Sequence, residues 1–402
     1  MKKIIVLLLT MFLIFNVVGC SKANVPQASN EEILKSSYEE ILKKAKGTTV
    51  NFYGYGGDEV MNKWFDTYVV NEMKKYDIKV KRVGMNIDEI MNKLLSEKQV
   101  KNSKGTVDVI WLNGENFKVA KDNELLFGPF SEKTPNYMKY VDQKAPEITN
   151  DFGTSVDNME APWGKAQFTI AYNSDTIKST LNSSDEIMTM VKNNPGKFTY
   201  PAPPDFTGSA FVRNIIYDVV GYENIKNIEP DEEKVKEAIK PAIDYLKQLK
   251  PYLWQEGKNY PSTSSQLENM YADKEVCAMM TYAPNTLKDK IEKNIIPKST
   301  KIVKFDKGNI SNTHFLAIPN NATNKEGAMV VIDFLMSVDA QASKTDSKNW
   351  GDSTVLSMDK IPQEKKSEFM ETVNIENTLP ELPASIIPII EKIWTQEVLE
   401  AK

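Results

Sequence analysis

The chain has 402 residues, with 50 lysines and arginines against 55 aspartates and glutamates, one histidine and two cysteines; 41% of it is hydrophobic and 26% charged. A formal net charge of −5 with no basic cluster argues against nucleic acid as a partner, and the length suits two cores better than one. Among the basic residues only Arg82 and Arg213 are arginine, so an arginine kept against that bias is expected to serve through its geometry.

Lys2 and Lys3 precede an apolar run, residues 4–18, interrupted only by Thr10 and Asn16. Its length falls short of the roughly 20 residues that cross a bilayer core, so it reads as an export signal. The run ends in Val17-Val18-Gly19-Cys20 before a polar stretch, and this tetrapeptide resembles the lipobox of bacterial lipoproteins. The resemblance implies a signal peptide over residues 1–20, a lipid on the Cys20 sulfur and a body held on the outer face of the membrane. Two acyl chains, at ~0.8 kcal/mol per methylene, anchor such a body durably. Cys277 is then the one cysteine left for the folded body, in the apolar run Val276-Cys277-Ala278-Met279-Met280, where a buried inert thiol is expected.

Residues 21–46 read as a polar linker followed by a short amphipathic helix from residue 31, with Ile33, Leu34, Ile41 and Leu42 apolar. The pattern then alternates. Residues 49–53 predict a strand, 54–58 a turn and 59–75 a helix; residues 78–83 predict a second strand, and Asp88 caps a helix through residue 98. Residues 107–112 predict a third strand, after which Glu115 opens another helix. Such alternation predicts a parallel sheet covered on both faces. Further on, residues 168–172 and 198–200 read as strands, with a helix over 185–192 between them. Helices are expected over about 208–220 and over 231–249, and a buried strand over 276–282. Residues 315–319 and the helix 325–337 bring the chain back.

Several stretches are similar to a known family. Ala317-Ile318-Pro319-Asn320-Asn321, Lys325-Glu326-Gly327-Ala328, Ile332-Asp333-Phe334-Leu335-Met336-Ser337 and Ala340-Gln341-Ala342 resemble the late region of bacterial extracellular solute-binding proteins. Ala161-Pro162-Trp163-Gly164-Lys165-Ala166-Gln167, leading into Phe168-Thr169-Ile170-Ala171-Tyr172-Asn173, resembles their first inter-lobe crossing. Trp111-Leu112-Asn113-Gly114-Glu115-Asn116-Phe117 and Leu126-Phe127-Gly128-Pro129-Phe130 resemble a branch near the thiamine, ferric-iron and polyamine receptors. The resemblance implies an α/β fold of the two-lobed, type II periplasmic-binding-protein kind, each lobe a mixed sheet flanked by helices, hinged near 164–167 and His314. Lobe 1 is expected over 47–165 and 312–345, lobe 2 over 166–311 and 346–402. It further implies a monomer without cofactor or metal, which captures a small solute and delivers it to the permease and ATPase subunits of an ABC importer.

Ligands of open α/β sheets bind beyond the carboxyl ends of strands. In the first lobe and crossing this selects Tyr55, Gly57, Asp58, Trp111, Asn113, Glu115, Asn116, Trp163 and Gln167. Glycines admit a solute to backbone amides, Trp111 and Trp163 offer stacking faces, and Asn113, Glu115 and Asn116 offer directional hydrogen bonds. The plainer alternative makes Asp58 and Glu115 favourable first-turn acids and Trp111 core. In the second lobe the candidates are Phe206, Thr207, Gly208 and Ser209 with Arg213, and Tyr282 with Asn285. Residues 207–209 with Arg213 are expected to cradle an anion or polar head; alternatively Thr207 caps the helix and Arg213 pairs with Asp218 or Asp205. Trp350 lines the cleft mouth or anchors the C-terminal helices.

Catalysis finds little support. His314 is the only histidine, and the sequence contains no Gly-x-Ser-x-Gly elbow, no His-Glu-x-x-His and no adjacent tyrosines of the kind the iron-binding relatives use. An extracytoplasmic lipoprotein hydrolase, the rival reading, would have to work through His314. Aromatics, acids and one arginine suit an organic cation with a polar or anionic tail, such as thiamine and its phosphates; a polyamine, sugar or small carboxylate fits parts of the pattern.

Overall fold

The computed structural model describes residues 29–371, 373 and 377–400; the export segment, Cys20 and most of the linker lie outside them. The N-terminal helix is two helices, Asn30–Lys35 and Tyr38–Ala45. Ser37 starts the second with a reciprocal cap: its hydroxyl accepts the Glu40 amide at 3.3 Å, and the Glu40 carboxylate accepts the Ser37 amide at 2.8 Å. Ile33, Ile41 and Ala45 are the buried positions of the pair, while Leu34 and Leu42 are half-buried.

Strand β1, Thr49–Gly54, pairs in parallel with β2, Lys79–Gly84, and β3, Val109–Leu112. The helix between β1 and β2 is continuous through Glu59–Trp64, a π turn at Phe65–Val69, and Val70–Lys74. After β2 the helix Ile87–Gln99 starts earlier than expected, with Asn86 rather than Asp88 as its cap.

Two long strands, β4 (Glu160–Gln167) and β8 (Asn309–Ala317), run antiparallel along each other from residue 311 to 317 of β8. On its other edge β8 pairs antiparallel with β3 through residues 315–317 and parallel with β9 (Thr378–Pro380) through 309–311. The large sheet is therefore mixed rather than parallel throughout, because the returning strand comes back against the direction of β1–β3. A second sheet sets β5 (Thr169–Asn173) between β6 (Ala278–Thr281) and β7 (Thr300–Ile302), antiparallel to both. Residues 198–200, expected as a strand, form none: the Phe198 carbonyl accepts instead from the Trp254 amide, at the start of the short 3-10 helix Trp254–Gly257, at 2.8 Å.

Two large hydrophobic cores result. One collects β1, the N-terminal helices and the helix Lys325–Leu335; the other collects β5, β6, the helices Phe206–Val220 and Glu232–Leu249, and the C-terminal helix Ile387–Trp394. Residues 346–402, expected as one block in lobe 2, divide between them. Trp350, Val355, Leu356 and Ile361 pack in the first core, and the second takes the chain from Leu379 onward. Among the described residues no helix is long and apolar enough to cross a membrane.

Candidate functional site

Strand β4 occupies one edge of β8, so β3 and β9 share the other edge at its opposite ends. Between them residues 312–314 of β8 have no ladder partner on that edge among the described residues. The chain leaves β3 at Leu112 opposite Phe315 and leaves β9 at Pro380 opposite Ser311, so Asn113 to Glu115 and Glu381 flank this gap between the two cores.

On the first-lobe side Gly114 turns with φ 69°, and its amide donates to Asp151 Oδ2 at 2.6 Å. Glu115 follows as the first helical residue, half-buried. Burial pushes its carboxyl up to about 7; Arg213 across the gap opposes the rise, while Glu391 and Glu381 add to it. Asp151 and Glu160 are buried and shifted well above ordinary carboxyls, chiefly by burial, and each repels a neighbouring acid. Neither carboxylate oxygen of Glu160 has a hydrogen-bond partner among the described residues.

On the second-lobe side the helix Phe206–Val220 begins one residue ahead of Thr207. Its cap is Asp205, whose Oδ1 accepts the Thr207 and Gly208 amides at 3.0 and 2.9 Å. The amide cradle expected at residues 207–209 is thereby filled from within the chain. Gly208 is explained by packing, since a Cβ there would lie 2.0 Å from the Pro201 carbonyl oxygen.

Arg213 is 1% exposed. Its Nε and Nη2 donate to Glu381 at 3.0 and 3.2 Å, and its Nη1 to Ser209 Oγ at 2.6 Å. The fork thus grips Glu381 rather than Asp218 or Asp205, and Asp218 binds the Ser184 amide and hydroxyl instead. Ser209 Oγ in turn donates to Glu391 Oε1 at 2.6 Å. Glu381 also accepts from Tyr282 Oη at 3.0 Å and Asn312 Nδ2 at 3.1 Å. Rings line the same region: Phe206, 36% exposed, lies 5.2 Å from Tyr282 and 6.3 Å from Phe152.

The remaining expected residues divide. Tyr55 is exposed on the loop after β1, its hydroxyl 3.2 Å from Ser265 Oγ of the second lobe, and Gly57 makes room for that phenol. Asp58 is the helix cap of the plainer alternative, accepting the Val60 and Met61 amides at 3.0 Å, with burial raising its carboxyl and Lys290 and Glu268 nearby. Asn113, Asn116 and Gln167 are half-buried and make no side-chain hydrogen bond among the described residues.

Trp163 and Trp350 do not offer stacking faces. Both are buried, 4.8 Å apart in a cluster with half-buried Trp111 and with His314, and Trp350 also packs on Trp64. Trp350 therefore anchors its own segment to the first core and does not hold the C-terminal helices. Behind the cluster buried Lys344 donates to the Trp163 carbonyl at 2.7 Å and to Asp352 Oδ2 at 2.6 Å. Asn285 ties segments together: it donates to the Gly351 carbonyl at 2.7 Å and accepts the Val373 amide. Sequence reasoning missed Asp151, Phe152, Asn312, Glu381 and Glu391, none of which belongs to a motif. The faint signal for Glu381 is its setting, Pro380-Glu381-Leu382-Pro383, a stiff stretch that fixes a side chain.

Residues 67–355 match the family model of the bacterial extracellular solute-binding proteins. Over 364 residues the chain is 32% identical to Protein YnjB of Escherichia coli (strain K12), spanning 89% of this chain and 93% of that protein. Its fold is similar to the periplasmic binding protein AfuA from Actinobacillus pleuropneumoniae, solved with fructose-6-phosphate (TM-score 0.60, 14% identity, 88% of this chain and 99% of that one). It is also similar to the ferric binding protein from Campylobacter jejuni (TM-score 0.59, 17% identity, 88% and 99%). At these identities the likeness to the solved structures is one of fold.

Proposed function

We propose a function for a chain that belongs to the bacterial extracellular solute-binding protein family: it captures a small organic cation in the gap between its two lobes. From an anchor at Cys20 on the outer face of the membrane, it presents that solute to the permease of an ABC importer.

The observation that carries the cation is the charge left over in the gap. Arg213 and Glu381 neutralise each other at 3.0 Å, as do Lys290 and Glu268 at 2.6 Å. Glu115 on one side and Glu391 on the other then have no ion-pair partner among the described residues. Burial raises both carboxyls, so each is held in the gap at a cost that a cation would relieve. Phe206 and Tyr282 add ring faces, which attract cations by about 0.5–2 kcal/mol each; Phe152 is buried and its ring already faces Arg213 at 6.0 Å. An anionic solute would meet Glu115 and Glu391 with no free counter-charge. The lobes touch through Tyr55 and Ser265, and a cation held between Glu115 and Glu391 contacts both lobes and shifts an open–closed equilibrium toward the closed form.

The test is mass spectrometry of the small molecule released when the purified protein is denatured. An intact organic cation is expected. A neutral sugar, a phosphate monoester or a hydrolysis product in its place overturns the reading.

A further inference from the structure

Three consecutive side chains on β8 bury a polar atom without a partner among the described residues: Asn312 Oδ1, Thr313 Oγ1 and His314 Nδ1. Each such atom costs about 1–3 kcal/mol, and native interiors keep few of them. The three coincide with the stretch of β8 that lacks a ladder partner between β3 and β9. Side chains alternate across a strand, so Asn312 and His314 share one face and Thr313 takes the other. The shared face connects both sides of the gap. At one end Asn312 Nδ2 donates to Glu381, the partner of Arg213 and Tyr282; at the other the His314 ring lies 5.0 Å from Trp111, two residues before Asn113.

We infer that Asn312 and His314 form the floor of the solute site, and that the solute group resting on them is a nitrogen cation bearing N–H donors: an ammonium, amidinium or guanidinium. The inference rests on the cation reading above and adds which cation. The Asn312 amide nitrogen is committed to Glu381 at 3.1 Å, so its Oδ1 can only accept. His314 turns Nε2 toward Asp352 Oδ1 at 3.4 Å; with the proton on that nitrogen, Nδ1 is an acceptor as well. The backbones carrying these two acceptors are about 7 Å apart, two residues along a strand. A quaternary ammonium has the charge but no donor, and would leave both acceptors unsatisfied in a site closed to water.

The test uses the chain from residue 21 without its lipid, unfolded and refolded to strip any carried solute. Its thermal melting is followed with benzylammonium, benzamidinium and butane-1,4-diammonium, and with the fully N-methylated forms of the two ammonium probes. The N–H probes should raise the melting temperature, the methylated ones should not, and the rise should be lost in Asn312→Leu. His314 is the only histidine in the sequence, so its imidazole NMR signals identify themselves; in the unaltered protein they should move on adding the N–H probes. This second measurement decides the matter even where Asn312→Leu does not fold. Equal stabilisation by methylated probes overturns the floor while leaving cation capture standing. So does stabilisation that persists undiminished in folded Asn312→Leu, or His314 signals that stay in place while N–H probes stabilise. Stabilisation by neither set overturns both.

Discussion

Replacing Glu115 by glutamine tests the electrostatics of the gap directly. Burial moves this carboxyl from an ordinary 4.5 up to about 7; Arg213 opposes the rise, and the nearby Glu391 and Glu381 add to it. The sign follows from linkage. The folded-state value lies above the unfolded one, so the unfolded chain gives up this proton first as the pH rises. Folding is then weakened progressively between about pH 4.5 and about pH 7, and stays weakened above. The shift corresponds to about 3 kcal/mol, an upper bound for a side chain that is only half-buried. Glutamine has no proton to lose. Ligand-free Glu115→Gln should therefore match the parent near the acid end of this range and exceed it by up to about 3 kcal/mol at mildly alkaline pH. Glu160 is raised by burial and by Asp151 rather than by Glu115, so its titration largely cancels in the difference; Asp151 is repelled by Glu115, so the variant relieves its carboxyl as well and adds to the gain at higher pH. Urea unfolding followed by tryptophan fluorescence at stepped pH reads the two curves. A stability difference that does not change with pH refutes the assignment of an uncompensated carboxyl in the gap. With the solute bound the order should reverse, because only the parent has the counter-charge.

Arg213→Met removes one partner of a buried ion pair and strands Glu381, so unfolding free energy should fall by about 3–5 kcal/mol; a loss below about 1 kcal/mol would show that the pair is solvated in solution. The Cys277 thiol, buried and pushed up to about 11, should ignore a thiol reagent in the native protein and react on unfolding; fast native labelling counts against the packed second core. Cys20→Ala should release the protein from the membrane fraction or leave its signal uncleaved, and unchanged attachment would remove Cys20 as the anchor.

Regular structure was readable wherever a period was long enough to register. Thr49–Gly54 shows its alternation, and Glu232–Leu249 starts at Asp231, whose side chain accepts the Lys234 amide at 3.0 Å. Residues 198–200 failed because an apolar run reports burial and not backbone partnership; Tyr200 is buried, but against Trp394 and under a loop. The π turn at Phe65–Val69 leaves no compositional trace at all. For the site, residues at strand ends are legible because loops must exist there, which holds for Tyr55 and Glu115; Phe206 follows residues 198–200, which form no strand. What could not be found was occupancy. Trp163 reads as a free indole until Trp350 covers it, and residues 207–209 read as open amides until Asp205 fills them. Such partners are set by tertiary packing, which no local spacing encodes.

Arg213 shows how far that distinction reaches. The scarcity of arginine singles it out, and its buried two-pronged grip is a contact lysine could not reproduce. Yet what it grips reverses the sign of the site. A free guanidinium above a helix start would make an anion receptor. Here each anion-receiving group already holds a carboxylate of the chain itself: Arg213 holds Glu381, the Ser209 hydroxyl holds Glu391, and the Thr207 and Gly208 amides hold Asp205. A phosphate or carboxylate solute would have to displace one of these and repay about 3–5 kcal/mol for breaking the buried pair before gaining anything. A cation displaces nothing. On the proposed reading it would meet Glu115 and Glu391 as they stand, lower the cost of keeping both ionised, and draw the lobe that carries one toward the lobe that carries the other. The same contacts would then supply affinity and closure together, which is what a receptor read by a permease requires.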